Sequence, residues 1–380
     1  MKIIALYLPQ FHEIPENDEW WGKGFTEWVN VKNAKPLFKG HNQPRVPLNN
    51  NYYNLLDDKV KQWQVDIANK YGVYGFCFYH YWFDGHMLLE KPVNQFLANK
   101  NLKIHFCLCW ANESWTNAWA AGNAKVLINQ KYGGRKEWKQ HFEYFLPFFK
   151  DDRYLKENNK PLLVIYRPEL IECLNEMLDY WDQLAKEQGF DGIEFAYQHI
   201  SFALTPNHDD SRFTYAIEYQ PNWARSLQPS EKNVKLQETK KQIVTFVEKY
   251  LKIDLREKKR SLKPLEHFNY DDVWKYILNM KPSSAKNVPG AFVDWDNTPR
   301  RKKNGYVADG ASPEKFKKYL SLQIKNARET YKKDMIFVFS WNEWAEGGYL
   351  EPDTRNGYGY LEAIYSALKE NDELEENDLD

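Results

Sequence analysis

The chain has 380 residues, enough for one large domain or two ordinary ones. Its 52 basic residues almost balance its 53 acidic residues, which argues against proteins that bind nucleic acid or anionic membranes through a strongly charged surface. Aromatic residues make up 16% of the chain although its mean hydropathy is only −0.75. Rings in such a polar chain suit stacking on sugar faces, and many will also pack the core.

Eight short apolar runs predict strands, and several are apolar at nearly every residue, as parallel strands buried on both faces are. They are Ile3–Leu8, Gly75–Tyr79, Ile104–Cys109, Leu162–Tyr166, Gly192–Ala196, Tyr215–Glu218, Ala291–Val293 and Met335–Phe339. Helical patterns lie between many of them, at Lys59–Lys70, Glu137–Phe148, Ile171–Glu187, Lys240–Leu251 and Pro313–Lys325. Eight strands with helical crossovers predict an α/β fold, a single-domain (β/α)8 TIM barrel, rather than an open doubly wound sheet.

The barrel is expected to span residues 1–369, with two long excursions. The first, Pro9–Asn54, is rich in Trp, Gly, Pro and Asn, and loops of this length are usually functional. The second, residues 225–289, is a charged, partly helical insertion between strands six and seven. Residues 370–380 form an acidic tail that we predict to be disordered.

The sequence predicts no cofactor and no metal. No Gly-x-Gly-x-x-Gly or Walker-type loop follows a strand, which weakens nucleotide-binding alternatives. The four cysteines lack metal-ligand spacing, and the nine histidines are scattered. The chain opens with a strand-like run instead of a signal peptide, and no segment is long enough to span a bilayer. We therefore expect a cytoplasmic location, whereas the oligomeric state is left open.

Active sites of such barrels lie at the carboxyl ends of the strands, and every predicted strand end combines polar and aromatic residues. His80 could equally be a core histidine. Asp294 and Asp296 match the Asp-x-Asp that holds a metal–nucleotide in many glycosyltransferases, although that tripeptide is common. The predicted substrate-binding residues are Tyr7, His12, Trp28, Tyr79, His80, Tyr81, Trp110, Asn112, Glu113, Tyr166, Gln198, Glu218, Asp294, Trp295, Asp296, Trp341 and Asn342.

The eighth predicted strand leads into two glutamates, Glu343 and Glu346, interleaved with Trp341 and Trp344. If a helix begins there, residues three positions apart share a face, with Cβ atoms about 5–6 Å apart. Two carboxylates beside aromatic rings can be held at different pKa values, as cleavage of a glycosidic bond requires. Glu343 and Glu346 are therefore the predicted catalytic residues. The alternative is a solvated helix face that carries two acids.

Several phrases of the sequence resemble the WbsX-like family, whose members are usually encoded with bacterial O-antigen and capsule synthesis and often carry a glycosyltransferase label. That family is similar to the endo-α-mannosidase/endo-α-mannanase group, glycoside hydrolase family 99, which has a (β/α)8 barrel. The phrases are Ala5–His12, Gly24–Trp28, Gln43–Arg45, Trp110–Glu113, Trp295–Arg300 and Trp341–Gly347.

The resemblance implies roles for both glutamates. Glu343 would act as a base on the 2-hydroxyl of the substrate, which gives a 1,2-anhydro sugar. Glu346 would serve first as general acid and then as general base, with net retention.

The leading hypothesis is a retaining, glycoside hydrolase-like enzyme of bacterial surface polysaccharide metabolism that cleaves an α-glycosidic, mannoside-like linkage. One alternative is a glycosyltransferase of O-antigen, capsule or lipopolysaccharide biosynthesis, which would need an activated donor. Another is a sugar-binding barrel without catalysis. In each case the expected partner is an oligosaccharide or polysaccharide and not nucleic acid. The identity of the sugar, its linkage and endo or exo action are not fixed by the sequence.

Overall fold

A computed structural model describes residues 1–116, 126–198, 200–227, 265–375 and 379. Its centre is a parallel sheet whose strands coincide closely with the predicted apolar runs. The strands are β1 (Lys2–Tyr7), β2 (Gly75–Phe83), β3 (His105–Trp110), β4 (Lys160–Ile165), β5 (Glu194–Tyr197), β6 (Tyr215–Ile217), β7 (Asn287–Val288 and Gly290–Phe292) and β8 (Met335–Phe339).

The sheet closes on itself because β7 changes partner at Pro289. Its first segment pairs with β6, with Asn287 beside Ala216, and its second pairs with β8, with Gly290 beside Phe337. Proline has no backbone N–H to donate, so it suits the point where the pairing changes. Since β1 pairs with both β2 and β8, the strands form a closed ring, and the predicted (β/α)8 barrel is confirmed.

The helices surround this ring and turn one apolar face to it. In Leu174–Glu187, for example, Leu174, Met177, Leu178 and Trp181 are buried, at the spacing of one helix face. The predicted helices within the described residues are found to within three residues at each end, while predicted Lys240–Leu251 lies outside them. The α-helices are Pro15–Trp21, Glu27–Asn33, Asp58–Lys70, Lys91–Ala98, Arg135–Phe149, Leu174–Glu187, Ile200–Leu204, Asn222–Leu227, Tyr270–Asn279, Thr298–Arg301, Pro313–Asn326 and Gly359–Glu370.

Short elements decorate the loops. A π-helical turn, Ala327–Tyr331, extends the helix after β7, and 3-10 turns occur at Leu48–Asn50, Pro168–Leu170, Lys302–Asn304 and Trp344–Glu346. Five strand pairings among the described residues lie outside the ring. Three of them join Glu266–Asn269 to Tyr306–Asp309, Asn342–Glu343 to Gly348–Tyr349, and Trp115–Thr116 to Val126–Ile128. In the other two, His86–Leu88 pairs with β2 and Lys156–Glu157 pairs with β4.

The described part of the predicted insertion contains a helix that packs on the barrel. Helix Tyr270–Asn279 buries Trp274, whose indole stacks on Phe292 of β7 with 5.3 Å between ring centroids. This helix is thus the crossover that leads into β7. In the described part of the tail, Glu373 accepts a hydrogen bond of 2.6 Å from Arg328, and the disorder of residues 370–380 stays a prediction.

Among the residues placed in the structure, no helix has both the length and the apolarity needed to cross a membrane.

Candidate active site

A cavity of 390 Å³ opens at the carboxyl ends of the barrel strands. Four glutamates line it, Glu27, Glu113, Glu343 and Glu346, together with Arg300 and Arg301. Carboxylates among aromatic rings suit a carbohydrate, because its apolar faces stack on the rings and its hydroxyls donate hydrogen bonds to the carboxylates. The aromatic side chains of the wall are Trp21, Phe25, Tyr79, Tyr81, Trp115, Tyr166, Tyr219, Trp295 and Tyr306.

A tight hairpin after β8 carries Glu343 and Glu346, in place of the predicted helix. Strand Asn342–Glu343 pairs with Gly348–Tyr349, and the 3-10 turn Trp344–Glu346 joins them. The turn ends at Gly347, with φ of +71°, where an added Cβ would lie 2.8 Å from the backbone nitrogen of Asp296. Only glycine meets both conditions easily. The hairpin brings both glutamates to the cavity.

Arg300 connects the two glutamates. Its Nη2 donates to Glu343 Oε1 at 2.8 Å and its Nη1 donates to Glu346 Oε1 at 3.0 Å. Its Nε donates to a third carboxylate, Glu27 Oε1, at 2.9 Å. Each side of the guanidinium therefore faces one carboxylate, and the two predicted catalytic acids lie on the same cation.

Burial separates the two glutamates chemically. The side chain of Glu343 is 8% exposed and that of Glu346 is 20% exposed. Burial raises the pKa of Glu343 well above its ordinary value; Arg300 opposes this shift, while the charges of Glu346 and Glu27 add to it. Burial also disfavours the charge of Arg300, but the same three carboxylates hold the pKa of its guanidinium well above the usual value. Glu343 therefore has a high proton affinity, and Glu346 is more open to the cavity.

Five of the residues predicted to bind substrate also line the cavity: Tyr79, Tyr81, Glu113, Tyr166 and Trp295. The hydroxyl oxygen of Tyr79 accepts a hydrogen bond of 2.9 Å from Gln198, and that of Tyr81 accepts one of 3.2 Å from Gln10. Both hydroxyl hydrogens thus remain free to be donated to a bound sugar.

The other predicted residues lie away from the cavity, and several occupy the outer face of the barrel. Neighbouring residues of a strand point to opposite faces, so His80 lies outside between Tyr79 and Tyr81. Its Nε2 is 2.9 Å from Nε2 of His141, and burial lowers the pKa of His80 to about 3. Trp110 packs against Trp181 in the same outer layer, with ring centroids 5.9 Å apart.

Tyr7 and Glu218 also face the surrounding helices, whereas Gln198 lies behind the cavity wall. Tyr7 donates to Gln64 at 2.6 Å. Glu218 accepts hydrogen bonds from Asn287 and Tyr331, at 3.0 and 2.9 Å. Gln198 supports Tyr79 through the hydrogen bond already described.

Asp294 and Asp296 are committed to other protein groups. Asp294 forms an ion pair of 2.9 Å with Arg45. Asp296 accepts from Gln43 at 2.6 Å and from Thr298 Oγ1 at 2.6 Å, and it lies 2.8 Å from Nε2 of His41. These bonds join the loop after β1 to the loop after β7. They occupy the oxygens that an Asp-x-Asp metal–nucleotide site would need.

The remaining predicted residues hold loops together. Asn342 bonds both backbone groups of Leu8, at 2.8 and 3.0 Å, and Asn112 does the same for Arg167, at 2.7 and 2.8 Å. Trp28 donates to the carbonyl of Tyr53 at 2.8 Å, His12 bonds the carbonyl of Pro9 at 3.0 Å, and Trp341 packs on Phe76 with ring centroids 4.8 Å apart.

Sequence reasoning missed Arg300 and gave Glu27 no catalytic role. Both stand in phrases that carry the family resemblance, Gly24–Trp28 and Trp295–Arg300. The available signal was a charged residue within each phrase, although neither phrase indicates that Glu27 and Arg300 are in contact. Tyr219, Asn222 and Asn297 also line the cavity without having been predicted.

Comparisons with known proteins give a family and a fold. A family model described as glycosyltransferase WbsX matches residues 3–364. Two curated relatives from Xanthomonas campestris pv. campestris, each described as uncharacterized protein WxcX, are 36% identical over 370 residues (strain B100) and 372 residues (strain ATCC 33913). The alignments cover 96% of this chain but 49% of each relative. The chain therefore spans about half the length of these relatives.

Among solved structures, the family 99 endo-α-mannosidase from Bacteroides thetaiotaomicron, in complex with bis-tris-propane, is similar with a TM-score of 0.57 and 13% identity, covering 97% of both chains. A structure described as a glycoside hydrolase-like protein is similar with a TM-score of 0.55 and 12% identity, over 96% of this chain and 93% of that one. At such low identity the likeness shows the fold.

Proposed function

This chain belongs to the WbsX glycosyltransferase family, a family of carbohydrate-active enzymes, and we propose that it cleaves an α-linked, mannoside-like bond in a bacterial surface polysaccharide with retention. One observation carries the proposal: Glu343 and Glu346 reach one cavity and share one guanidinium. The same pair would act on whichever sugar the cavity holds.

In the first step, Glu343 takes the proton of the 2-hydroxyl. The oxygen freed in this way attacks the anomeric carbon from the face opposite the leaving group. Glu346 gives its proton to the departing glycosidic oxygen, and the product of the attack is a 1,2-anhydro sugar. The high proton affinity that burial gives Glu343 makes it a strong base once it is ionised.

In the second step, water opens the anhydro ring at the anomeric carbon. Glu346 takes the proton of the water, and Glu343 returns its proton to the 2-oxygen. Two inversions at one carbon give net retention, and both glutamates end in their starting states. The greater exposure of Glu346 supports its role beside the leaving group and the water.

The electrostatics of the pair support an acid and a base in one site. Three ionised carboxylates around one guanidinium would leave two uncompensated negative charges in a largely buried place. Like charges in such a place favour the uptake of a proton by one of them. Because the two glutamates interact, they titrate as a pair, and the proton belongs to both.

The test uses surface polysaccharide from the producing bacterium. The protein is incubated with it in ¹⁸O-labelled water, and products are followed by mass spectrometry and by NMR of the anomeric signal. We expect label at the new reducing end, retained configuration, and a loss of about 10³-fold or more in Glu343→Gln and Glu346→Gln. The matched control is Glu143→Gln, whose carboxylate is 61% exposed on an outer helix. Near-normal cleavage by Glu346→Gln would contradict the mechanism.

The family description favours a second candidate, transfer of the sugar to another sugar. The anhydro intermediate could equally be opened by an acceptor hydroxyl, with Glu346 taking the proton of that hydroxyl. Parallel incubations with and without sugar nucleotides separate the possibilities. Products that grow only when a sugar nucleotide is present indicate a glycosyltransferase. Binding of the glycan without any product, in the parent and in both variants, indicates a sugar-binding barrel.

A further inference from the structure

We propose that Glu27 and Arg300 form a counter-ion unit: Glu27 fixes the guanidinium in place, and the guanidinium balances the charge of the Glu343/Glu346 pair. The inference deepens the proposed function, because it takes this pair as the reacting acids. In this unit both residues are positioning residues, since they act on the reaction through the two glutamates.

The contacts of Arg300 carry the inference. Its Nε, Nη1 and Nη2 each donate to a different carboxylate, at 2.9, 3.0 and 2.8 Å. The guanidinium is a flat, rigid fork of donors, so three directions of contact fix both its position and its orientation. Here carboxylates occupy all three nitrogens.

Glu27 is built to hold one position. Its side chain is 3% exposed, and its Oε1 also accepts from Asn30 at 3.1 Å. Its backbone nitrogen donates to the carbonyl of Gln10 at 3.1 Å. Glu27 belongs to the loop after β1, Arg300 to the loop after β7 and the catalytic pair to the loop after β8. The unit therefore joins three separate loops at the cavity.

The opposite charges of Arg300 and Glu27 affect proton binding by the two glutamates in opposite ways. The positive charge of Arg300 favours ionised glutamates, whereas the negative charge of Glu27 favours proton uptake. Removing Arg300 should therefore raise the midpoint pH at which Glu343 titrates, and removing Glu27 should lower it. A purely structural role predicts something else: a loosened site admits water and returns Glu343 toward an ordinary glutamate in both variants.

The same cavity holds two further charged side chains, Arg301 and Glu113, of which Glu113 forms an ion pair of 2.9 Å with Arg167. The tyrosines around the pair, in contrast, stay neutral over the useful pH range. Four tyrosines from different elements face the two glutamates, and burial raises the pKa of each hydroxyl above its ordinary value, to about 12 in Tyr306. They are Tyr81, Tyr166, Tyr219 and Tyr306.

The experiment titrates the resting protein, with no glycan present. Glutamate labelled with ¹³C at the side-chain carboxyl is incorporated, and the Glu343 signal is assigned from its loss in Glu343→Gln. We expect the midpoint of Glu343 to rise by at least about one pH unit in Arg300→Gln and to fall in Glu27→Gln. Lys303→Gln removes an exposed cation from the next turn and should leave the midpoint in place.

Shifts of the same sign in Arg300→Gln and Glu27→Gln, or no shift in Arg300→Gln, would overturn the proposal. If Arg300→Gln does not fold, Arg300→Lys replaces it. A single lysine ammonium cannot contact three carboxylates at these angles. The midpoint of Glu343 should therefore also rise in Arg300→Lys, and a fall would equally overturn the proposal. Because the titration involves no reaction, its outcome does not depend on whether the protein cleaves a glycan. Where cleavage is seen, the pH–rate profile of Arg300→Lys should move to higher pH.

Discussion

Glu351 accepts a hydrogen bond of 2.7 Å from the indole nitrogen of Trp344, the residue directly after Glu343. The same buried carboxylate accepts from Tyr53 at 2.8 Å and from Gln64 at 2.7 Å. Burial raises the pKa of Glu351 to about 7, against these hydrogen bonds. The turn that carries both candidate acids is therefore anchored from behind by one carboxylate that has several donors.

Glu351→Gln should weaken both activity and folding. A glutamine amide would place its NH2 group opposite donors such as the Trp344 indole, and one buried N–H would lose its acceptor. We expect a loss of about 1–3 kcal/mol in the free energy of unfolding and a lower kcat with little change in KM. Urea denaturation and steady-state kinetics measure the two effects. Wild-type values for both would show that Trp344 does not need this anchor.

Glu218→Gln should stabilise the folded protein at high pH, because the hydrogen-bond partners of Glu218 can also bond to an amide. Asn287 can still donate to the remaining carbonyl oxygen, and the Tyr331 hydroxyl can accept as well as donate. Burial raises the pKa of Glu218 to about 7, compared with about 4.3 for a free glutamate. The folded state thus holds an extra proton between these values, and the stability linked to it is lost as the pH rises through 7.

The Glu218→Gln variant has no such proton to lose. At pH well above 7 it should be more stable than the parent by up to about 3 kcal/mol, and near pH 4 the two should be equal within about 1 kcal/mol. Urea denaturation at both pH values measures the difference. An equal effect at both pH values would show that the charge of Glu218 does not matter.

Gly290→Ala should be among the most damaging changes in the barrel. An added Cβ would lie 1.9 Å from the backbone oxygen of Glu218, where β6 and β7 approach each other. Backbone cannot move aside as a side chain can, so we expect a loss of more than about 3 kcal/mol or no soluble protein. Gly134→Ala is the control, because its Cβ would meet nothing closer than 3.8 Å. Thermal unfolding compares the two, and equal melting temperatures would refute the clash.

Tyr79→Phe should raise KM more than it lowers kcat. The hydroxyl oxygen of Tyr79 accepts from Gln198, which leaves its hydrogen for a sugar oxygen in the cavity. Losing one such bond should weaken binding about fivefold to tenfold. Tyr144→Phe is the matched control, since its hydroxyl donates to Asn94 at 2.9 Å in the outer layer. If both variants keep the KM of the parent, Tyr79 is not a substrate donor.

Much of the fold could be predicted because buried parallel strands are apolar runs. β8 was predicted at both ends, and β7 was predicted only in part, because Asn287 and Pro289 interrupt its apolar pattern. Helix Tyr270–Asn279 was assigned to an insertion, because the charged sequence before it obscured where the barrel resumes.

The site was predicted less well, for a geometric reason. The prediction took consecutive residues at each strand end, but a strand turns alternate side chains to opposite faces. Tyr79 and Tyr81 therefore reach the cavity while His80 packs outward against His141. The contact between Glu27 and Arg300 spans 273 residues, and no local pattern reports how two distant loops will meet.

The pairing of β1 with β8 also bears on how the molecule is made. Lys2 lies beside Met335 in the closed ring, so one edge of β1, which precedes the other barrel strands in the sequence, stays without its partner until β8 is translated. An open strand edge readily pairs with other chains. We therefore expect this edge to stay open to such pairing until β8 has been made.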